Sequence, residues 1–407
     1  MAEPDAGPIR SDRAMTRAAR PHLALALALL ALGWTAWHAP RPEAPAFVPP
    51  PARSVGAAEP RFTTRLLPLA APSAHASTLA ELADGTLLAA WFAGSREGAD
   101  DVAIYLSRLE PSGWSPPRAI ATREQTAREL RRHLRKLGNP VLHVDPAGRL
   151  HLFFVSVSLG GWAGSSINHK FSDDGGEHWS PARKLTTTPF LNISTLVRNP
   201  PLMLQDGGLG LPVYHEFVVK HGEWLRLDAS GRITDKVRMP HARDTLQPAV
   251  VALDAEQALA LLRDAGPGPG RVQVARSADA GRHWQMAPAL PIPHSNASMA
   301  LLRLGDGSLL MAGNPGSGRA SLLLYRSRDA GRSWQALGAV ETGQIRNGRE
   351  PEFSYPALIQ ARNGDIHLSY TWLRQGIRHV VFNTAWLETR EREGGREPAL
   401  PPAEGSP

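Results

Sequence analysis

Two apolar runs separated by a short Asp/Asn/Gly turn recur six times along the middle of the chain. The copies read "STLAELADGTLLAAWF", "NPVLHVDPAGRLHLFFV", "NPPLMLQDGGLGLPVYH", "QPAVVALDAEQALALLR", "MALLRLGDGSLLMAG" and "YPALIQARNGDIHLSY". Each sets β-rich runs on either side of hairpin turn chemistry, and successive copies lie roughly 50 to 63 residues apart. A third apolar run follows each pair: "VAIYLSR", "SINHKFS", "EWLRLDA", "RVQVARS", "SLLLYRS" and "RHVVFNT". Six units of three or four strands predict an all-β chain folded as a six-bladed β-propeller. One helix is expected, over Arg123 to Leu137, inserted between the first two blades. The strand near "RFTTRLLPLA" should join the last blade and close the ring.

In copies two, four and five the third run enters a second recurrence, Ser-x-Asp-x-Gly-x-x-Trp, as "FSDDGGEHW", "RSADAGRHW" and "RSRDAGRSW". Copy one retains Ser107 and Trp114 at the same separation, and copy three retains "LDASG". Ser and Asp side chains can hydrogen-bond the backbone of their own turn, Gly allows a positive φ, and Trp can pack beneath the hairpin. The pattern therefore predicts a structural staple, and Asp174, Asp279 and Asp329 are not expected to be catalysts.

The ends differ from the repeats. Arg10, Arg13, Arg17 and Arg20 precede "HLALALALLALGWTAW", a positive segment before roughly 15 apolar residues, which is the pattern of a secretory signal or a short inner-membrane anchor. With no clean small-x-small cleavage site, residues 22–38 are expected to anchor an exported, periplasmic protein in the inner membrane; secretion after cleavage is the alternative. Residues 39–60 read as an extended Pro/Ala linker that does not pack, 61–387 as the propeller, and 388–407 as a disordered charged tail.

Composition narrows the chemistry. The 407 residues contain no cysteine, which removes disulfides, thiolate nucleophiles and Cys-based metal sites. A formal charge of +7 would suit nucleic acid, but the cations are scattered arginines with no basic helix or stripe, so no nucleic-acid partner is expected. Fifteen histidines show no ligand spacing, so neither a metal nor another cofactor is expected.

Catalysis on a propeller needs polar residues from several blades to converge where the loops leaving the inner strands meet around the axis. Those loops read "AGSREGADD", "SLGGWAGSS", "HEFVVKHGE", "RDAGPGPG", "NPGSGR" and "TWLRQG", with charge concentrated in the first, third and fourth.

With the Asp boxes, these stretches resemble the sialidase (neuraminidase) superfamily, in particular its bacterial BNR-repeat branch, over about Phe62 to Leu387. The resemblance implies an exo-glycosidase that removes a terminal acidic sugar, sialic acid or a carboxylated relative, from a glycan. Asp boxes also occur in non-hydrolytic relatives, so a non-catalytic carbohydrate-binding propeller is the alternative. Of the three arginines that hold the sugar carboxylate in the family, "LALLRDAG" supplies Arg263 and "GSGRASLLLYRS" supplies Arg319; at the first position "AHASTLAEL" offers His75. The family's tyrosine nucleophile matches Tyr355 in "EFSYPALIQ", whereas its partner Glu is replaced by Gln247, which cannot take a proton. Glu352 and Glu216 are candidate substitutes. The acid/base position falls among Glu97, Asp100 and Asp101, with Asp101 favoured and Arg96 placed to bind substrate. Asn139 matches an Asn-Pro turn of the second blade. Were His75 to bind the carboxylate as a cation, affinity should fall as pH rises past about 6 to 7.

Overall fold

The computed structural model describes residues 13–38, 44–52, 58–188, 192, 194–240, 243–316, 318–344, 348 and 350–394. From Pro45 onward the chain forms one compact unit in which six antiparallel sheets of four or five strands are the blades of a propeller, and a further two-stranded sheet pairs Gly270–Arg271 with Pro293–His294. Their inner strands are Ser73–Glu81, Lys136–Val144, Thr195–Val197 with Leu202–Met203, Thr245–Ala252, Ala300–Arg303 and Phe353–Gln360. Phe62–Leu66 pairs with Gly376–Phe382, Phe62 opposite Phe382, so a strand from before the first blade completes the sixth.

The strand next to the axis strand in each blade is covered on both faces by neighbouring blades, which is why its sequence is a nearly unbroken apolar run. In Leu87–Gly94 every residue is buried. The core accordingly lies between blades: Phe92, Ile104 and Leu88 of the first pack with Leu142, Leu152 and Phe154 of the second, and Leu310 and Leu324 of the fifth pack with Leu368 and Phe382 of the sixth.

Each blade carries one non-glycine residue of positive φ at or beside its inner strand: Ala76 (54°), Asn139 (44°), Ser194 (58°), Gln247 (51°), Asn296 (48°) and Tyr355 (55°). At Ala76, Asn139, Gln247 and Tyr355 the inner-strand register breaks as well. Such a bulge re-aims a side chain, at a backbone cost of about 1–3 kcal/mol each. Three of the four bulged residues precede proline, which donates no ladder hydrogen bond.

The Asp boxes are staples. Asp174 Oδ1 accepts from Ser172 Oγ (2.7 Å) and His178 N (2.9 Å), while Ser172 Oγ accepts from Gly176 N (2.8 Å). The same contacts recur at Asp279 and Asp329.

Three boundaries differ from the sequence expectation. The inserted helix is Arg123–Leu130, capped by Thr122 and ended by Arg131 at φ 51°; Lys136, Leu137 and Gly138 pair instead with Val157, Ser156 and Val155. Burial of Leu137 in the sheet outweighs the helix propensity of the Arg-rich segment. The 39–60 segment does pack in part: Phe47 is fully buried, edge-on to Trp224 at 5.9 Å, with its N–H bonded to Ala255 O (2.8 Å). The propeller does not end at 387 either, because helix Thr384–Arg392 buries Leu387 and ties Glu391 to Arg326 and Arg328, pairing charges that had looked solvated. Residues 395–407 lie outside the described residues.

The segment before Pro45 is a separate unit built on helix Arg13–His38. Leu23, Leu25, Leu27, Leu29 and Leu30 are exposed on it. Among the described residues no helix is long and apolar enough to cross a membrane.

Candidate active site

The inner-strand bulges turn polar side chains toward the axis, where they meet groups from the second strands. Tyr214, two-sided by blades two and four, receives Asn139 Nδ2 (3.2 Å) and Gln247 Nε2 (3.3 Å) on its hydroxyl. Gln247 Oε1 accepts from Arg263 Nη1 (3.0 Å), and the same nitrogen lies 3.4 Å from the Tyr355 hydroxyl. Asn296 Oδ1 fixes Arg263 Nε at 2.6 Å. Asn139, Tyr214, Gln247, Arg263 and Tyr355 thus form one hydrogen-bonded chain across blades two, three, four and six.

A second cluster stands on the other side of Tyr355. Arg319 Nη1 donates to Glu352 (2.8 Å), whose other oxygen accepts from Arg374, and Arg374 also pairs with Glu97 from the first-blade loop. The Arg319 guanidinium is 5.6 Å from the Tyr355 ring centre, within cation–π range. Beneath, buried Arg198 donates to the carbonyls of Ser77 (3.2 Å), Tyr355 (2.7 Å) and Pro356 (2.9 Å), pinning the bulge that aims Tyr355.

These charges decide which groups can give or take protons. Burial would push the Tyr355 phenol up, but Arg263, Arg319 and the hydrogen bond with Gln247 outweigh it and hold the group below the ordinary tyrosine value. Tyr214 is pushed strongly up by burial and by Tyr355 and Glu216, and stays a neutral phenol. Burial raises Glu216 against the pull of Arg263, Lys220 and Lys136. Burial would raise Glu352 too, but Arg374, Ser354 and Arg319 bring it down to about 2, so it is a fixed anion.

Most of the residues picked from the sequence therefore converge: Tyr355, Arg263, Arg319, Gln247, Asn139, Glu352 and Glu97 share the two clusters, and Glu216 stands two residues along the strand from Tyr214, on the same face. His75 and Asp101 depart from expectation. His75 is buried, bonded through Nδ1 to Thr371 Oγ1 (2.9 Å) and packed 4.2 Å from the Tyr355 ring. Burial, with Arg374 the next cause, holds it well below the ordinary histidine value, so it is neutral and cannot act as a pH-dependent carboxylate clamp. Asp101 is spent bracing its own loop, accepting from Ser95 N (2.8 Å) and Ser95 Oγ (3.0 Å). Asp100 and Arg96 are exposed and make no side-chain hydrogen bond with any described residue.

Tyr214, Arg198, Asn296 and Arg374 were not singled out in the sequence, nor was Lys136, whose ammonium sits 3.9 Å over the Trp162 ring beside Glu97. Arg374 stands in the quoted loop "TWLRQG", but a lone arginine in a loop gives no sign of the two carboxylates that clasp it. Tyr214 sits in an apolar run and reads as core.

A propeller of six such blades, with Asp boxes outside, is a fold that known proteins share. The BNR repeat-like domain family model matches residues 85–368, more than half of the chain, and the protein belongs to that family. Solved structures with the same fold include the Hadza microbial sialidase Hz136, at 16% identity and a TM-score of 0.60, with 76% of this chain and 65% of that one covered. The intramolecular trans-sialidase from Ruminococcus gnavus, solved with oseltamivir carboxylate, matches at 14% and 0.62, covering 79% and 97%. A protein of unknown function from Dyadobacter fermentans matches at 15% and 0.62, covering 79% and 98%. Comparison with curated proteins finds no match.

Proposed function

We propose that the protein is a sialidase-type glycoside hydrolase that removes a terminal carboxylated sugar from a glycan, with Tyr355 as nucleophile. The observation that carries this reading is the Tyr355 hydroxyl 3.4 Å from Arg263 with Arg319 beside its ring, an arrangement that favours phenolate with no adjacent base. Arg263, Arg319 and Arg374 offer planar forks for the sugar carboxylate. Arg374 supplies the third cation that His75 does not.

In this reading the phenol first loses its proton to solvent. The phenolate then attacks the anomeric carbon as the bond to the leaving oxygen breaks, and that oxygen takes a proton from Glu216, the site carboxyl whose protonated form burial favours. Water hydrolyses the glycosyl–Tyr355 bond, giving its proton to Glu216 and returning the phenolate. Export by the N-terminal segment, to deliver this site to envelope or external glycans, belongs to the same proposal and rests on the Arg-flanked apolar run.

One observation favours the binding-protein alternative: Gln247, which cannot take a proton, stands between Arg263 and Tyr214 at the position where the resemblance calls for a Glu. Hydrolysis of fluorogenic glycosides of sialic acid, its deaminated relative and glucuronic acid separates the two. Turnover lost in Tyr355→Phe and in Glu216→Gln supports the hydrolase; binding without turnover of any of them establishes a lectin-like role.

A further inference from the structure

Blades two and six both carry a pair of stacked histidines on adjacent strands, and the two pairs occupy equivalent positions. His151 and His169 stack at 5.2 Å, as do His367 and His379. In each pair Nδ1 of the first ring lies 2.9 Å from Nε2 of the second. The equivalence extends to the surroundings: the third-strand histidine faces an outer-strand arginine, Arg183 opposite His169 and Arg65 opposite His379. The turn before the first histidine is closed by the same backbone bond, Asp145 N to Arg149 O in one blade and Ala361 N to Asp365 O in the other.

In blade two the pair is satisfied at both ends. Arg183 Nε donates to His169 Nδ1 (3.3 Å), so His169 carries its proton on Nε2 and gives it to His151 Nδ1; His151 Nε2–H then ends on Asp145 (3.2 Å). In blade six both ends are changed. Trp114 of the neighbouring blade, whose indole nitrogen can only donate, takes the His379 Nδ1 acceptor at 3.2 Å. That fixes His379 as the Nε2–H tautomer and makes His367 accept at Nδ1. Burial holds both rings neutral, at about 3 for His379 and about 4 for His367. His367 must then carry its proton on Nε2, where blade two has an aspartate and blade six has Ala361. Although His367 is only 4% exposed, this N–H finds no hydrogen-bond acceptor among the described residues. Arg65, displaced by Trp114, likewise makes no hydrogen bond or ion pair with any described residue.

Both groups border one cleft of about 680 Å³ between blades six and one, of a size that suits a sugar. Its other charges are engaged: Arg61 pairs with Asp365, Arg362 with Glu81, and Asp84 caps its own turn at Thr86 N (2.8 Å). The cleft includes the Ala361–Asp365 turn, six residues along the inner strand from Tyr355, or about 20 Å away. It lies at the opposite end of the blade from the candidate active site.

We propose that this cleft is a second ligand site, which takes a small oxyanion, the carboxylate or phosphate group of a sugar-sized molecule, between the Arg65 guanidinium and the His367 Nε2–H. A neutral donor and one spare cation fit a singly charged group, and the missing aspartate is what leaves room for it.

Calorimetric titration with inorganic phosphate and with glucuronate tests the site in protein carrying Arg319→Ala, which weakens any anion binding at the tyrosine face. One-to-one binding is expected there, with affinity falling about tenfold or more in Arg65→Ala, as for loss of one charge-assisted hydrogen bond. Ala361→Asp rebuilds the blade-two arrangement, and should abolish binding while the thermal midpoint holds or rises, since it gives His367 its acceptor. Preference for glucuronate over phosphate would identify a carboxylated sugar as the natural class, and the reverse a phosphorylated one. No binding of either anion, or binding indifferent to both Arg65→Ala and Ala361→Asp, overturns the proposal. Because turnover at Tyr355 plays no part in the readout, the site stands or falls independently of the hydrolase reading.

Discussion

Replacing Arg263 by Met should make Tyr355 a more ordinary phenol. The Arg263 Nη1 to Tyr355 oxygen distance is 3.4 Å. At that separation a full charge pair is worth about 1.2 kcal/mol in a water-like dielectric and about 5 kcal/mol at an effective dielectric near 20. Arg263 is half-buried, so the effect lies between these limits, and even the lower one is roughly an eightfold change in the phenolate-to-phenol ratio. Near-ultraviolet difference titration reads it directly, because the chain has only five tyrosines and burial pushes three of them, Tyr214, Tyr325 and Tyr370, upward. The step that disappears in Tyr355→Phe belongs to Tyr355, and in Arg263→Met it should move to higher pH. A step that stays where it was, or a Tyr355 that titrates no earlier than a free phenol, would refute activation by the arginines.

Arg198→Met removes the shared donor to three buried carbonyls, and should cost about 3 kcal/mol or more in urea unfolding; a loss under about 1 kcal/mol would show that the bulge holds itself. Glu352 is held down to about 2, so its contribution to stability is complete above its unfolded value near 4.3 and is lost as pH falls toward 2. Glu352→Gln should therefore flatten the stability profile between about pH 4.5 and 2, and an unchanged acid limb would contradict this. Asp279→Ala, which loses the turn contacts to Ser277 and His283, should lower stability by about 1 kcal/mol and leave sugar binding unaltered; a change in affinity would mean that the box reaches the site.

The six-fold repeat was legible because a strand buried on both faces must be apolar throughout, and because hairpin turns demand Asp, Asn and Gly. The boxes were legible for the same local reason: Ser172, Asp174 and Gly176 satisfy one another within five residues, so their pattern carries its own explanation. Tyr355, Arg263 and Arg319 were found by resemblance, since single residues on separate loops have no period. What the chain pattern could not reveal are partnerships made across blades. Arg198 reads as a surface cation until its carbonyl partners, more than a hundred residues away, are brought beneath Tyr355. His75 occupies a position that suggests a charged ligand clamp, yet burial against Phe92 and Tyr355 keeps it neutral. Asp101 and Glu97 are four residues apart in one loop, and only the fold decides that the first braces Ser95 while the second reaches Arg374. Local chemistry determined the blades; the electrostatics of the axis, which depends on distances between residues far apart in the chain, was decided by the tertiary structure.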